Sequence, residues 1–124
     1  MQQPVELTLP DLVVLCPFPL RVNPFYKQIR VESAAWIMSF DAFTGRKRDH
    51  FACSDFEMLA AYAHPDATHD QVRVCADLIN HLATMDMMCD DLDGKGVRKV
   101  GDQYMAALTL SPMDDSMVSR MVTE

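Results

Sequence analysis

Apolar residues recur at three- and four-residue steps along most of this chain, the spacing of a helix face rather than of a strand. The longest such stretch runs from Thr68 to Gly94. Thr68 and Gln71 have the spacing of a capping box and set its start. Gly94 follows the last periodic residues and reads as a C-terminal stop. The intervening residues contain neither Pro nor Gly and would make a rod of roughly 30 Å. Val72, Cys75, Ile79 and Leu82 form an apolar stripe along it, and the same stripe continues into Asp86 and Asp90. That pattern predicts a buried face ending in two carboxylates one turn apart.

The flanking segments read as further helices. Asn23-Pro24 starts one as N-cap and first helical residue; it runs to Phe40, with Tyr26, Ile29, Ser33, Trp36, Ile37 and Phe40 on one face. Trp36, the only tryptophan, is expected in the core. Thr44 to Arg48 ends that helix, and the run Arg46, Lys47, Arg48 reads as a solvated connector outside any site. Ser54 and Glu57 have capping-box spacing and open a short helix from Asp55 to His64 that buries Phe56, Leu59, Ala60 and Ala63 before Pro65 stops it. After Gly94 come a connector with Lys95, Arg98 and Lys99, a helix from Asp102 to Leu110, a break at Ser111-Pro112, and another helix from Asp114 to Glu124. Residues 1–22 carry Pro4, Pro10, Pro17 and Pro19. Such a density of proline excludes a helix, so they form an extended arm whose Leu12, Val13, Val14 and Phe18 lie against the helices. The fold class is all-α, with residues 23–124 helical.

A buried carboxylate is costly unless it is paired, hydrogen-bonded or bound to metal. Asp86 and Asp90 therefore point to a wet cavity at the end of an apolar pocket lined by Cys75, Ile79 and Leu82. Mg²⁺ takes oxygen ligands and commonly uses one or two carboxylates together with substrate phosphates and water. A calcium loop does not fit. With Gly94 as its sixth residue, Cys89 would be first and Val100 twelfth, where carboxylates are required. His50, His64, His69 and His81 lack ligand spacing and read as surface or cap residues.

Asp86-Met-Met-Cys-Asp90 resembles the aspartate-rich motif of class I terpene synthases. Its surroundings, MDMMCDDLDGK, resemble the fungal (basidiomycete-type) sesquiterpene synthases, as does PFPLRVNP at residues 17–24 ahead of the first helix. Met87 stands where that family usually has a second acid. The resemblance runs from residue 10 onward and implies the N-terminal portion of a single terpene synthase domain, with only the N-terminal helices of the bundle. It implies Mg²⁺ held by Asp86 and Asp90 as metal-binding and catalytic residues. The implied substrate is farnesyl diphosphate, a prenyl diphosphate ionised and cyclised in a dry cavity. The family's second metal motif sets Asn, Ser and Glu at four-residue intervals. Here Asn23 is followed by Lys27, and Asn80 by Thr84 and Met88. The chain is thus expected to be inactive alone unless a homodimer supplies a second site. The alternative is a non-catalytic small helical protein that binds an apolar ligand or a partner helix, using apolar stripes left exposed.

Composition narrows this further. A net charge of −7 argues against a nucleic-acid surface. Four cysteines without CxxC or zinc spacing point to a reducing, cytoplasmic setting. No apolar run approaches a membrane span, and Leu12 to Leu15 is too short for a signal-peptide core. Ten methionines suit the filling of irregular core gaps.

Overall fold

The computed structural model describes residues 7–109 and 116–123, and every regular element among them is a helix. In chain order these are α1 (Leu12–Leu15), α2 (Tyr26–Met38), α3 (Gly45–Ser54), α4 (Phe56–Ala63), α5 (His69–Cys89), α6 (Gly94–Leu108) and α7 (Met117–Thr123). The all-α expectation holds. The expected break at Ser111-Pro112 and the expected helix start at Asp114 lie outside the described residues. No helix among the described residues is long and apolar enough to cross a membrane.

Local chemistry sets the boundaries. The arm is not wholly extended. Asp11 Oδ1 accepts from the backbone N–H of Val13 at 3.0 Å and of Val14 at 3.1 Å, which nucleates the single turn of α1 between Pro10 and Pro17. Leu12, Val13, Val14 and Phe18 do not lie against the helices; all four are exposed. Asn23 is buried and works as a staple. Its Oδ1 accepts from Phe25 N–H at 2.9 Å, while its Nδ2 donates to the carbonyls of His64 at 2.8 Å and Ala67 at 2.9 Å. The start of α2 is thereby tied to the turn between α4 and α5.

The basic run is not a loop. Arg46, Lys47 and Arg48 belong to α3, whose sequence hides its helicity because Phe51 is its only buried residue. Phe51 packs against Phe43 and Phe56 with ring centroids 5.6 and 5.4 Å apart. α3 ends and α4 begins at Asp55, a left-handed residue at φ 50°. The expected capping box at Ser54 and Glu57 does not form. Ser54 Oγ bonds back to the His50 carbonyl at 3.0 Å, and Glu57 turns inward. α4 buries Glu57, Ala60 and Ala61 instead of Leu59 and Ala63, which are exposed. Gly94 does not stop α5 but opens α6, with Asp93 as N-cap accepting from Gly96 N–H at 2.8 Å. Lys95, Arg98 and Lys99 are consequently helical.

Two apolar clusters hold the helices together. Ile37, Phe40, Phe43, Phe51 and Met121 form one, with Trp36, Phe56, Met87, Met88 and Met117 packed at its edge. Ile29, Ala60, Val72 and Ala76 form the other, where the small Ala60 and Ala76 let α4 and α5 approach closely. Four of the methionines fill the rims of the aromatic cluster, as their unbranched, polarisable side chains favour.

Candidate functional site

α5 positions the acidic residues. Its N-terminus carries the expected capping box: Thr68 N–H donates to Gln71 Oε1 at 3.0 Å, and Gln71 N–H donates to Thr68 Oγ1 at 3.5 Å. Its C-terminus falls at Cys89, with Asp90 as C-cap donating its N–H to the Asp86 carbonyl at 3.1 Å. The acidic run is divided by these helix ends. Asp86 lies in the last turn of α5, Asp90 caps it, Asp91 makes an ion pair with Lys47 of α3, and Asp93 caps α6.

The face of α5 is not the one its apolar stripe suggests. The buried strip is Val72, Ala76, Asn80 and Thr84. Cys75 and Ile79 sit at the edge of the cluster containing Ala60. Leu82 is 51% exposed, and Asp86 and Asp90 are exposed. At about 100° per residue the stripe through Cys75, Ile79, Leu82 and Asp86 is rotated roughly a third of a turn from the centre of the buried strip. The carboxylates therefore stand on an open flank of the helix rather than on its buried face. Periodicity gave the wrong phase because α5 is apolar on two sides: Val74, Leu78 and Leu82 are exposed while Val72 and Ala76 are sealed.

Among the described residues neither Asp86 nor Asp90 has a side-chain hydrogen bond or ion pair, and no group of three or more His, Cys, Asp and Glu could enclose a metal. The two carboxylates stand at the negative end of a 21-residue helix whose last turn contains no basic residue. Negative side chains there oppose the helix dipole, typically by a few tenths to about 1 kcal/mol each. A cation would reverse that sign. Met87 now has a structural reason. It packs against the edge of the aromatic cluster, where a second acid would be partly buried against apolar side chains.

Sequence reasoning missed the polar spine beneath this face. Asn80 Nδ2 donates to Glu57 Oε1 at 2.6 Å and to Ser33 Oγ at 3.0 Å. Ser33 Oγ donates to Asp77 Oδ1 at 2.6 Å, Arg73 Nε donates to both Asp77 oxygens at 2.9 and 3.0 Å, and Arg73 Nη1 reaches Glu32 at 3.3 Å. The spine locks the rotation of α5 against α2 and α4. The four-residue step Val72, Ala76, Asn80, Thr84 was the available signal for it.

His81 is neither a surface nor a cap residue. It is 5% exposed and stacks on Tyr104 of α6 at 5.4 Å, and neither ring nitrogen has a partner among the described residues. Burial lowers its pKa from 6.5. The unfolded chain therefore takes up this proton first as pH falls, and the stabilisation from neutral His81 is lost below about pH 6.5. His69 has the opposite sign. Its bond to Asp70, and then its pairing with Glu32, raise its pKa, so its contribution is present in acid and lost as pH rises through the folded value. His81→Phe keeps the stack and removes the buried nitrogens. Thermal unfolding at about pH 5 and pH 7.5 should show a smaller acid loss in His81→Phe than in the parent chain; an equal loss would place the acid sensitivity elsewhere.

No family model matches the chain. It is 36% identical over 95% of its length to a Coprinopsis cinerea protein named linoleate 10R-lipoxygenase COP4, and 33% identical over 90% to the bifunctional terpene synthase Agr4 of Cyclocybe aegerita. It is 37% identical over 86% to sesquiterpene synthase 9 of Postia placenta. The chain spans about a third of the length of these curated relatives: 34%, 33% and 31%. With helices as the regular elements of its described residues, the chain is similar to part of a terpene synthase. Sesquiterpene synthases of basidiomycete fungi are among these relatives and are matched over most of this chain.

Proposed function

We infer that this chain is the N-terminal part of a class I sesquiterpene synthase domain, and that Asp86 and Asp90 are its metal-binding, catalytic pair. The observation that carries this reading is the unpartnered carboxylate pair at the negative end of α5, in a chain similar to sesquiterpene synthases over most of its length. The pair has the ligand chemistry of Mg²⁺. Mg²⁺ held there would neutralise charge on the diphosphate of farnesyl diphosphate as it leaves. Two carboxylates leave the remaining coordination positions to diphosphate oxygens and water. Leu82 continues the open flank away from the pair, and with Cys75 and Ile79, at the edge of the cluster containing Ala60, it would form one wall for the prenyl chain. In a complete enzyme the remaining walls would come from helices beyond those described, closing the flank and excluding water. The proposed substrate site is cytoplasmic and needs no membrane.

Paramagnetic mapping tests this directly on the chain. Mn²⁺ added to ¹⁵N-labelled protein should broaden amides around Asp86 and Asp90 first, more strongly with inorganic diphosphate present, and Asp86→Asn should remove the effect. Broadening spread evenly over the surface carboxylates, or unchanged in Asp86→Asn, would refute the pair.

A further inference from the structure

A second site lies between α2 and α3, with α4 and α5 beneath it. It is a groove of about 740 Å³ with apolar walls from Val31, Ala34, Ile37 and Met38, and with Glu57 and Asn80 lining its floor. That volume is within the usual range for small-molecule pockets. Asp86 and Asp90 take no part in it.

The floor is unusual in being all acceptor. Glu57 is 4% exposed and Asn80 is 1% exposed. Both amide protons of Asn80 are used, one on Glu57 Oε1 and one on Ser33 Oγ. No described group donates to Glu57 Oε2 or to Asn80 Oδ1. Neither atom is among the sealed partnerless ones of the described residues, which are Asp55 Oδ1 and the two His81 nitrogens, so neither oxygen is fully sealed, and both residues line the groove. Of the neighbouring donors, Lys27 stands at the rim without a partner among the described residues, while Tyr26 and Arg30 are committed elsewhere. Tyr26 donates to Asp55 Oδ2 at 2.5 Å, and burial followed by that bond raises its pKa. Arg30 pairs with the same carboxylate at 3.5 Å. The placement of Glu57 in the first turn of α4 gives its carboxylate support from the helix dipole, yet it has no cationic partner.

We propose that this groove binds a primary alkyl ammonium ion, its head on Glu57 and Asn80 and its hydrocarbon tail along α2. An ammonium group carries three donors, no acceptor and one positive charge. It matches two acceptors to which no described group donates and a buried carboxylate without an ion pair. An alkyl carboxylate would meet the reverse arrangement, with like charge on the floor and only the rim cations Lys27 and Arg30 to hold it.

The test is calorimetric titration of the 124-residue chain with octylammonium and with octanoate at neutral pH and matched ionic strength, with amide shifts to locate the ligand. Octylammonium should bind one per chain, about tenfold or more tighter than octanoate, and perturb amides near Ala34, Glu57 and Asn80. Glu57→Gln should weaken it about tenfold or more, since a bond to a charged group is lost. Ala34→Phe fills the groove without touching the polar spine and should abolish binding; it decides the matter if Glu57→Gln does not fold. Tighter binding of octanoate, no saturable octylammonium binding, or full binding by Ala34→Phe would overturn the assignment.

Discussion

Purified 124-residue chain, supplied with farnesyl diphosphate and Mg²⁺, is expected to release no cyclised hydrocarbon above background. One carboxylate pair recruits at most part of a metal cluster, and Met87 packs at the edge of the aromatic cluster where a further acidic ligand would be needed. Asn80, the one asparagine on α5, is committed to Glu57 and Ser33 on the buried side of that helix. It cannot serve a metal on the open flank. Leu82 is half exposed and Asp86 is exposed, so a cation formed there would meet water at once and the advantage of a dry site would be lost. Losing several charge-stabilising contacts together removes many powers of ten in rate, at about 1.4 kcal/mol for each. Gas chromatography of overnight incubations checks this. Sesquiterpene formation by this chain alone would require a second metal site, for instance one contributed across a homodimer.

What the sequence revealed and what it hid divide along a physical line. The start of α5 was legible because a capping box joins residues three apart, so Thr68 and Gln71 announce it without reference to the rest of the chain. The helical class was legible for the same reason. The rotation of α5 was not. Its outward Val74, Leu78 and Leu82 carry a helical apolar signal as clear as that of Val72 and Ala76, and periodicity alone cannot say which side finds neighbours. Those neighbours are distant in sequence: Glu57 and Ser33 lie 23 and 47 residues from Asn80. α3 was hidden because a helix that buries little besides Phe51 leaves no periodic trace. Glu57 was misread for a different reason. Its spacing from Ser54 satisfies a local rule, but the left-handed turn at Asp55 breaks the continuity on which that rule depends, and the carboxylate finds Asn80 instead.

The identity of the acidic pair itself came from the spacing of Asp86 and Asp90 and from the family resemblance, and the structure adds the distinction between them and their neighbours. Asp91 is one residue from Asp90, yet it is drawn toward α3 by Lys47, and Asp93 is occupied in capping α6. Only Asp86 and Asp90 of this run are left without side-chain partners among the described residues. The Asp86 position therefore carries the larger expected mutational effect. The measurement that bears most directly on the account compares Asp86→Ala with Asp91→Ala in a complete synthase, with this sequence joined to the remaining two thirds of a relative such as sesquiterpene synthase 9. The steady-state rate with farnesyl diphosphate is the readout. Asp86→Ala should lose about two or more powers of ten in kcat, roughly 3 kcal/mol of transition-state stabilisation, while Asp91→Ala stays within about threefold of the parent, since an exposed ion pair contributes little. Equal losses for the two variants, or a larger one for Asp91→Ala, would contradict the assignment of the catalytic pair.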